Sequence, residues 1–290
     1  AHYYQPIEIQ EIADFLGDSL GLSRTAREKT NTEYIIFAGV DFMAETASIL
    51  NQDKHVLIPN PESCCPMAAY LTPEMIRDYK KRYPNLPAIV YVNSTAVVKA
   101  ECDICCTSTN AVKIVNKIKD EYKSEGVLFG PDANLADYVE HKSKIKTIKM
   151  PNNGNCYVHS MLTTKDVNQI KNKYPNAMFL AHPECVRKVR ELADFVGSTT
   201  QMFNYAKEND NKEFIIGTEK GLLERLTADF PNKKFYLAKE KMICYNMKKH
   251  NLELIKYLLE NLDDKNFEVK VPKQVAERAL LPINKMLDYS

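Results

Sequence analysis

The chain has 290 residues, and its 39 Lys plus Arg almost cancel its 38 Asp plus Glu, so no field of one sign draws it to nucleic acid or an anionic bilayer and a small-molecule partner is expected. No apolar run approaches the roughly 20 residues that span a membrane, and the start lacks a basic-then-apolar signal pattern, so a cytoplasmic location is the expectation. Eight cysteines without secretory context point to reduced thiols, metal ligands or small buried side chains rather than a disulfide framework.

In chain order, AHYYQ reads as the end of a strand, and EIADFLGDS (11–19) leads into a helix. FAGVDFMAETASIL from Phe37 reads as strand, turn and helix. Thr72 caps a helix with Pro73 at its first position; Leu71, Met75, Ile76, Tyr79 and Tyr83 follow helical spacing until Pro84, and a strand over Ala88 to Val92 comes next. LTPEMIRDYKKRYPN (71–85) returns as LTTKDVNQIKNKYPN (162–176), and EIADFLGDS returns as ELADFVGST (191–199). FGPDANLADYV from Phe129 and IGTEKGLLERL from Ile216 repeat the strand, turn and helix of Phe37. A helix, a short strand near Phe267 to Val271 and a final helix follow His250.

Such self-similarity predicts three copies of an α/β unit, each large enough for a small three-layer αβα domain. The expected boundaries are 1–70, 71–161 and 162–250, with 251–290 a C-terminal helical segment packing on the units. The first copy lacks the helix and strand that precede the matching points in the others. Either a segment ahead of residue 1 or the residues after His250 would complete it.

Aligning the copies on Asp14, Asp103 and Asp194 brings His2, Tyr91 and His182 into register, and Tyr4, Asn93 and Glu184 two residues on. All six follow apolar strands, at the carboxyl ends where open α/β sheets bind ligands. The same register aligns Asp18, Thr107 and Ser198, then Ser19, Ser108 and Thr199, each ahead of a helix. Hydroxyls and free N–H groups at a helix start suit carboxylates and phosphates, although any one of them alone reads as an ordinary N-cap.

Cys65, Cys156 and Cys244 recur at close to the repeat period. One thiol per unit would converge on one point, and three thiolates can hold three irons of a 4Fe-4S cluster while leaving the fourth open as a Lewis acid. Cys102, Cys105, Cys106 and Cys185 read as small buried side chains. Zinc ranks lower, because C-x-x-C pairs at zinc spacing are missing.

These residues resemble the quinolinate synthase family over nearly the whole chain. The matches are AHYYQ, GDSLGLS from Gly17, GVDFMAETASIL from Gly39, CPMA from Cys65, YVNSTAVVKA from Tyr91, GNCYVH from Gly154, HPEC from His182, GSTTQM from Gly197, GTEKGL from Gly217 and CYNMKK from Cys244. The resemblance implies three similar αβα domains around a pseudo-threefold axis, with a 4Fe-4S cluster at the centre on Cys65, Cys156 and Cys244. Cys65 is preferred to its neighbour Cys64 because it begins the CPMA match. Implied too is a transferase of NAD biosynthesis that condenses iminoaspartate with dihydroxyacetone phosphate, releasing phosphate and water, with functional coupling to an aspartate oxidase or dehydrogenase.

In that reading His2, Tyr4, His182 and Glu184 are the acids and bases, and Tyr91 and Asn93 orient the triose phosphate or the intermediates. Ser19, Ser108, Ser198 and Thr199 contact carboxylate and phosphate. His159 would donate a hydrogen bond to the cluster sulfurs or merely pack. Two departures stand out: MPNNGNC where the family commonly has an aromatic residue ahead of the glycine, and Cys244 alone where some members carry C-x-x-C-x-x-C. The competing readings are a non-catalytic small-anion binder or metal-dependent sensor, and a structural zinc protein.

Overall fold

A computed structural model of the protein describes residues 1–28 and 31–290. Two four-stranded parallel sheets carry the centre and the C-terminal half. The first comprises β3 (Ala88–Tyr91), β4 (Ile104–Cys106), β5 (Gly126–Gly130) and β6 (Lys146–Lys149) in the order β4-β3-β5-β6. The second comprises β7 (Met178–Ala181), β8 (Phe195–Val196), β9 (Glu213–Gly217) and β10 (Lys234–Leu237) in the order β8-β7-β9-β10. Every residue of β3 and β5 is buried, as expected of parallel strands covered by helices on both faces.

The N-terminal region shows the same order in reduced form. Parallel β1 (Tyr34–Ile36) and β2 (His55–Leu57) pair with each other, His2 bridges Gly17, and the His2 N–H donates to the Ala38 carbonyl just beyond β1 at 3.0 Å. On the far side Glu268 pairs antiparallel with Leu57, and Val269 N–H reaches the Val56 carbonyl at 2.8 Å. The segment after His250 thus adds a strand edge to the first region. It also lays the helix Lys273–Tyr289 against β4, Ala96–Lys99 and Asp41–Leu50.

Local chemistry sets the helix starts. Thr72 accepts from Met75 N–H ahead of Pro73, and Thr163 with Asp166 and Ser198 with Gln201 form reciprocal capping boxes, each satisfying N–H groups that a helix leaves orphaned. A fully buried lysine joins the first two regions. Lys99 Nζ donates to the carbonyls of Ser94 (2.7 Å) and Phe42 (3.3 Å), and Glu45 accepts from Ala96 N–H at 2.8 Å. Burial lowers the Lys99 pKa, and Glu45 opposes that shift most strongly. Among the described residues no helix is long and apolar enough to cross a membrane.

Candidate active site

In each region a strand ends, an acid stands at the start of the next helix, and a cysteine follows about two dozen residues later. Asp41 opens the helix Asp41–Leu50; its Oδ1 accepts from Phe42 N–H (2.7 Å) and from Cys65 N–H (3.1 Å). Asp132 caps Ala133–Ser143, Oδ1 taking Leu135 N–H (2.7 Å) and Oδ2 taking Cys156 N–H (3.0 Å). Glu219 caps Lys220–Asp229, Oε2 taking Gly221 N–H (2.6 Å) and Oε1 taking Cys244 N–H (3.2 Å). A second bond closes each clasp. The carbonyl two residues before each cysteine accepts from the helix start: Ser63 from Asp41 N–H (2.8 Å), Gly154 from Ala133 N–H (2.8 Å) and Met242 from Lys220 N–H (2.9 Å).

Cys65, Cys156 and Cys244 line one cavity. Cys65 and Cys156 begin short helical turns, and backbone N–H groups two or three residues on point at each of the three sulfurs: Ala68 at Cys65, His159 at Cys156 and Met247 at Cys244. Burial pushes all three thiol pKa values up, and these N–H groups push the other way. Thiols so placed ionise when a cation takes the proton's place, which is the chemistry of a metal or iron–sulfur ligand set. The residues therefore fit the group that the sequence implies.

Facing the thiols is a buried polar chain. Tyr91 Oη donates to Glu184 Oε1 at 2.5 Å, and His159 Nδ1 lies 2.8 Å from Glu184 Oε2. With Nδ1–H donating to the carboxylate, His159 Nε2 accepts from Thr218 Oγ1 (2.8 Å), whose oxygen accepts from Tyr4 Oη (2.6 Å), which in turn accepts from Thr199 Oγ1 (3.1 Å). Burial would raise the Glu184 pKa, but His159 beside it and the hydrogen bonds from His159 and Tyr91 hold it below the usual carboxylate range. Burial pushes the phenols of Tyr4 and Tyr91 well above their usual value. Both remain donors beside an ionised carboxylate.

His2 and His182, equivalent by register, share one backbone device. Tyr4 N–H donates to His2 Nδ1 (3.1 Å) and Glu184 N–H to His182 Nδ1 (3.3 Å), which leaves the proton of each neutral ring on Nε2. Burial lowers their pKa values to about 4 and about 3 respectively, so both rings are neutral donors at neutral pH. His182 stacks on His159 with ring centroids 4.3 Å apart. Asn93 lines the cavity, and its buried Oδ1 has no partner among the described residues, which leaves an acceptor for a ligand N–H or O–H.

Ser19, Ser108 and Thr199 line the same cavity. In the middle copy the helix begins only at Ala111, so Ser108 stands in the turn before it. Ser198 is absent from the cavity wall. Its hydroxyl caps Gln201 N–H (3.3 Å) and meets Thr109 Oγ1 (2.8 Å) and Asp18 Oδ2 (3.3 Å). There the three aligned helix starts touch, with Thr109 also donating to Asp18 at 2.9 Å.

Sequence reasoning did not nominate Asp18, Thr218 or the three acids holding the cysteine loops. Asp41, Asp132 and Glu219 occupy matching places in the segments at Phe37, Phe129 and Ile216, so the repeat carried the signal. The His159 ring is committed to Glu184 and Thr218, and its backbone, not its imidazole, serves Cys156. Donor atoms of Cys156, His159 and Glu184 lie within 4.8 Å of one another, yet the imidazole and carboxylate are already bonded within the chain, so they do not form a free metal trio.

An acid–base network built against three thiols belongs to the α/β enzymes that work with a metal or iron–sulfur group. The particular family follows from comparison: the family model of the quinolinate synthetase A protein matches residues 1–288, and the chain belongs to that family. It is 48% identical over 290 residues to the quinolinate synthase of Pyrococcus abyssi, covering 100% of this chain and 94% of that protein. It is 45% identical over 288 residues to that of Thermotoga maritima, covering 99% and 93%. With the quinolinate synthase of Methanocaldococcus jannaschii it shares 46% identity over 293 residues, covering 99% and 92%.

Proposed function

We propose that the chain is a quinolinate synthase of NAD biosynthesis, a transferase joining iminoaspartate to dihydroxyacetone phosphate with loss of phosphate and water. The observation that carries this reading is Glu184, bonded by Tyr91 and His159, in a cavity also lined by three thiols and the imidazoles of His2 and His182. Cys65, Cys156 and Cys244 would hold a 4Fe-4S cluster, which when bound supplies an open iron as Lewis acid.

The chain's own residues divide the remaining work. Glu184 is an acceptor for a substrate proton, since enolisation, isomerisation and dehydration each move one. The Nε2–H groups of His2 and His182 donate to substrate oxygens without carrying a charge of their own. Tyr4 and Thr199 lie at the far end of the chain that leads through Thr218 and His159 to Glu184, so a proton taken at one end is linked to donors at the other. Asn93 Oδ1 receives a substrate N–H or O–H. Ser19, Ser108 and Thr199, beside helix starts, suit the carboxylates and the phosphate. Ser198 supports Thr199 by capping its helix and by holding Asp18 and Thr109 together. The regions 1–70, 71–161 and 162–250 would act as three domains meeting at this cavity, with an aspartate oxidase or dehydrogenase supplying the iminoaspartate.

The deciding experiment is anaerobic quantification of iron and acid-labile sulfide, with quinolinate formation assayed in Cys64→Ala, Cys65→Ala, Cys156→Ala and Cys244→Ala. Loss of both cluster and activity in the last three, with Cys64→Ala unaffected, is expected. Zinc without sulfide in the native chain would replace this reading with a structural metal site.

A further inference from the structure

The three clasps repeat in detail, and their chemistry separates them from the other helix caps. Where a side chain has only a helix to cap, this chain uses Thr72, Thr163 and Asn251. Where a cysteine loop must also be held, the residue is an acid in all three cases: Asp41, Asp132 and Glu219. A hydroxyl brings one oxygen, whereas a carboxylate brings two oxygens with about four lone-pair sites. In Asp132 and Glu219 one oxygen serves the helix and the other serves the cysteine N–H; in Asp41 a single Oδ1 serves both. Asp18, another acid at a helix start, likewise uses its second oxygen, there on the hydroxyls of Thr109 and Ser198.

The second bond of each clasp, from the helix start to the carbonyl two residues ahead of the cysteine, turns the attachment into a hinge-free grip. With N–H at the cysteine and C=O two residues earlier both fixed to one helix turn, the position of Cα is set by a rigid element rather than by the loop, and Sγ is left only its staggered rotamers. Asp132 and Glu219 are fully buried, and water does not compete for these bonds.

We propose that Asp41, Asp132 and Glu219 are positioning residues that hold the three cysteines in a ligand-ready arrangement before the cluster is built. This rests on the reading of the chain as a three-cysteine iron–sulfur enzyme. Asp132→Asn and Glu219→Gln are the discriminating variants, because an amide keeps one oxygen for the helix cap but turns an N–H₂ toward the cysteine N–H. Thr163→Ala removes a helix cap that makes no bond to a cysteine loop and serves as the control for lost stability.

The measurement is anaerobic reconstitution of each apoprotein, reading iron and sulfide per chain, release to a chelator, and the melting temperature of the apoprotein. The amide variants are expected to melt below wild type, because each leaves an N–H₂ facing a buried N–H and Glu219→Gln also takes the charge from Lys248, and to hold the cluster roughly 10–100-fold less tightly, the range typical when the partner behind a metal ligand is lost and more than Thr163→Ala loses. If they load and release iron as wild type does, the acids are caps alone and the proposal falls. It falls equally if Thr163→Ala loses as much cluster as the amide variants do, since loading would then follow stability. A wild-type chain that takes up no iron or sulfide overturns both this proposal and the enzyme reading, whereas wild-type loading with unaffected amide variants overturns the proposal alone.

Discussion

Replacing Glu184 by Gln tests the centre of the site, because the change keeps shape and removes only charge and one acceptor. In the native protein both carboxylate oxygens are committed, to Tyr91 at 2.5 Å and to His159 at 2.8 Å, in a side chain only 3% exposed. The amide oxygen can satisfy one of these donors, while the amide N–H₂ is left facing the other. Hydrogen bonds to charged groups are worth about 1.5–3 kcal/mol and neutral ones about 1, so weakening one and opposing the other costs about 2–4 kcal/mol. At roughly 2–4 °C per kcal/mol, the apoprotein should melt about 5–15 °C lower. If Glu184 moves a substrate proton, kcat falls by about 10²–10⁴ even in protein reconstituted to full iron. Calorimetry of the apoprotein and steady-state quinolinate formation at matched iron content separate the two effects. Activity within about threefold of wild type, together with the expected melting shift, would leave Glu184 a structural residue and refute the assignment. Tyr91→Phe and the double variant complete the cycle, with a coupling of about 0.5–3 kcal/mol expected for groups in contact.

Lys99→Met should destabilise by about 3–5 kcal/mol, since it strips two buried carbonyls of their donor and leaves Glu45 without its cation; a urea midpoint equal to wild type would show that the lysine contributes nothing net. Glu268 is bonded by His55 (2.5 Å), Lys265 (3.2 Å) and Lys270 (3.3 Å); burial would raise its pKa, but these partners lower it from its usual 4.5 to about 2. A depressed carboxylate stabilises the fold above its unfolded pKa, so this contribution, about 1–3 kcal/mol after solvent screening, is lost as pH falls from about 5 toward 2. Urea unfolding across that range should therefore show a flatter acid limb in Glu268→Gln, and parallel limbs would reject the account. A Cβ at Gly154 would strike the Pro131 carbonyl oxygen, so Gly154→Ala should displace the loop ahead of Cys156 and lower both iron content and melting temperature; retention of full iron would show that the loop shifts freely.

The thiols were legible because identity and period coincide: one cysteine per copy at Cys65, Cys156 and Cys244, each after an apolar strand. His2, Tyr4, Tyr91, Asn93, His182 and Glu184 were legible for a related reason, polarity at strand ends in one register. Ser198 illustrates the limit. Its neighbour Thr199 faces the cavity while Ser198 turns to cap the helix and to meet Asp18, and rotation about a helix start is decided by the capping bond rather than by residue type. Thr218 was hidden because a threonine between Gly217 and Glu219 looks like turn filler, and only packing of the N-terminal strand brings Tyr4 within 2.6 Å of it. The acids Asp41, Asp132 and Glu219 stand inside the three repeated strand, turn and helix segments, yet nothing in those segments singles them out. Their second partner lies about two dozen residues away, and a sequence pattern shows one end of such a bond at a time.

The repeat also explains how one frame carries an asymmetric reaction. At the thiols the three copies keep the same bonds: acid to cysteine N–H, helix start to carbonyl, backbone N–H to sulfur. A ligand set for one compact group gains from equivalence, since each arm must reach the same point. At the strand ends the copies diverge to His, Tyr and His, then to Tyr, Asn and Glu. Divergence is tolerated there because those side chains hang from strands whose pairing depends on backbone and buried apolar residues, not on them. What His2 and His182 still share is the backbone device that fixes their tautomer. In the middle copy a tyrosine takes the histidine's place, and its hydroxyl crosses to Glu184 of the next copy. The groups proposed to move protons therefore come from different regions rather than from one, and disturbing the contact between any two regions should impair catalysis before it unfolds either sheet.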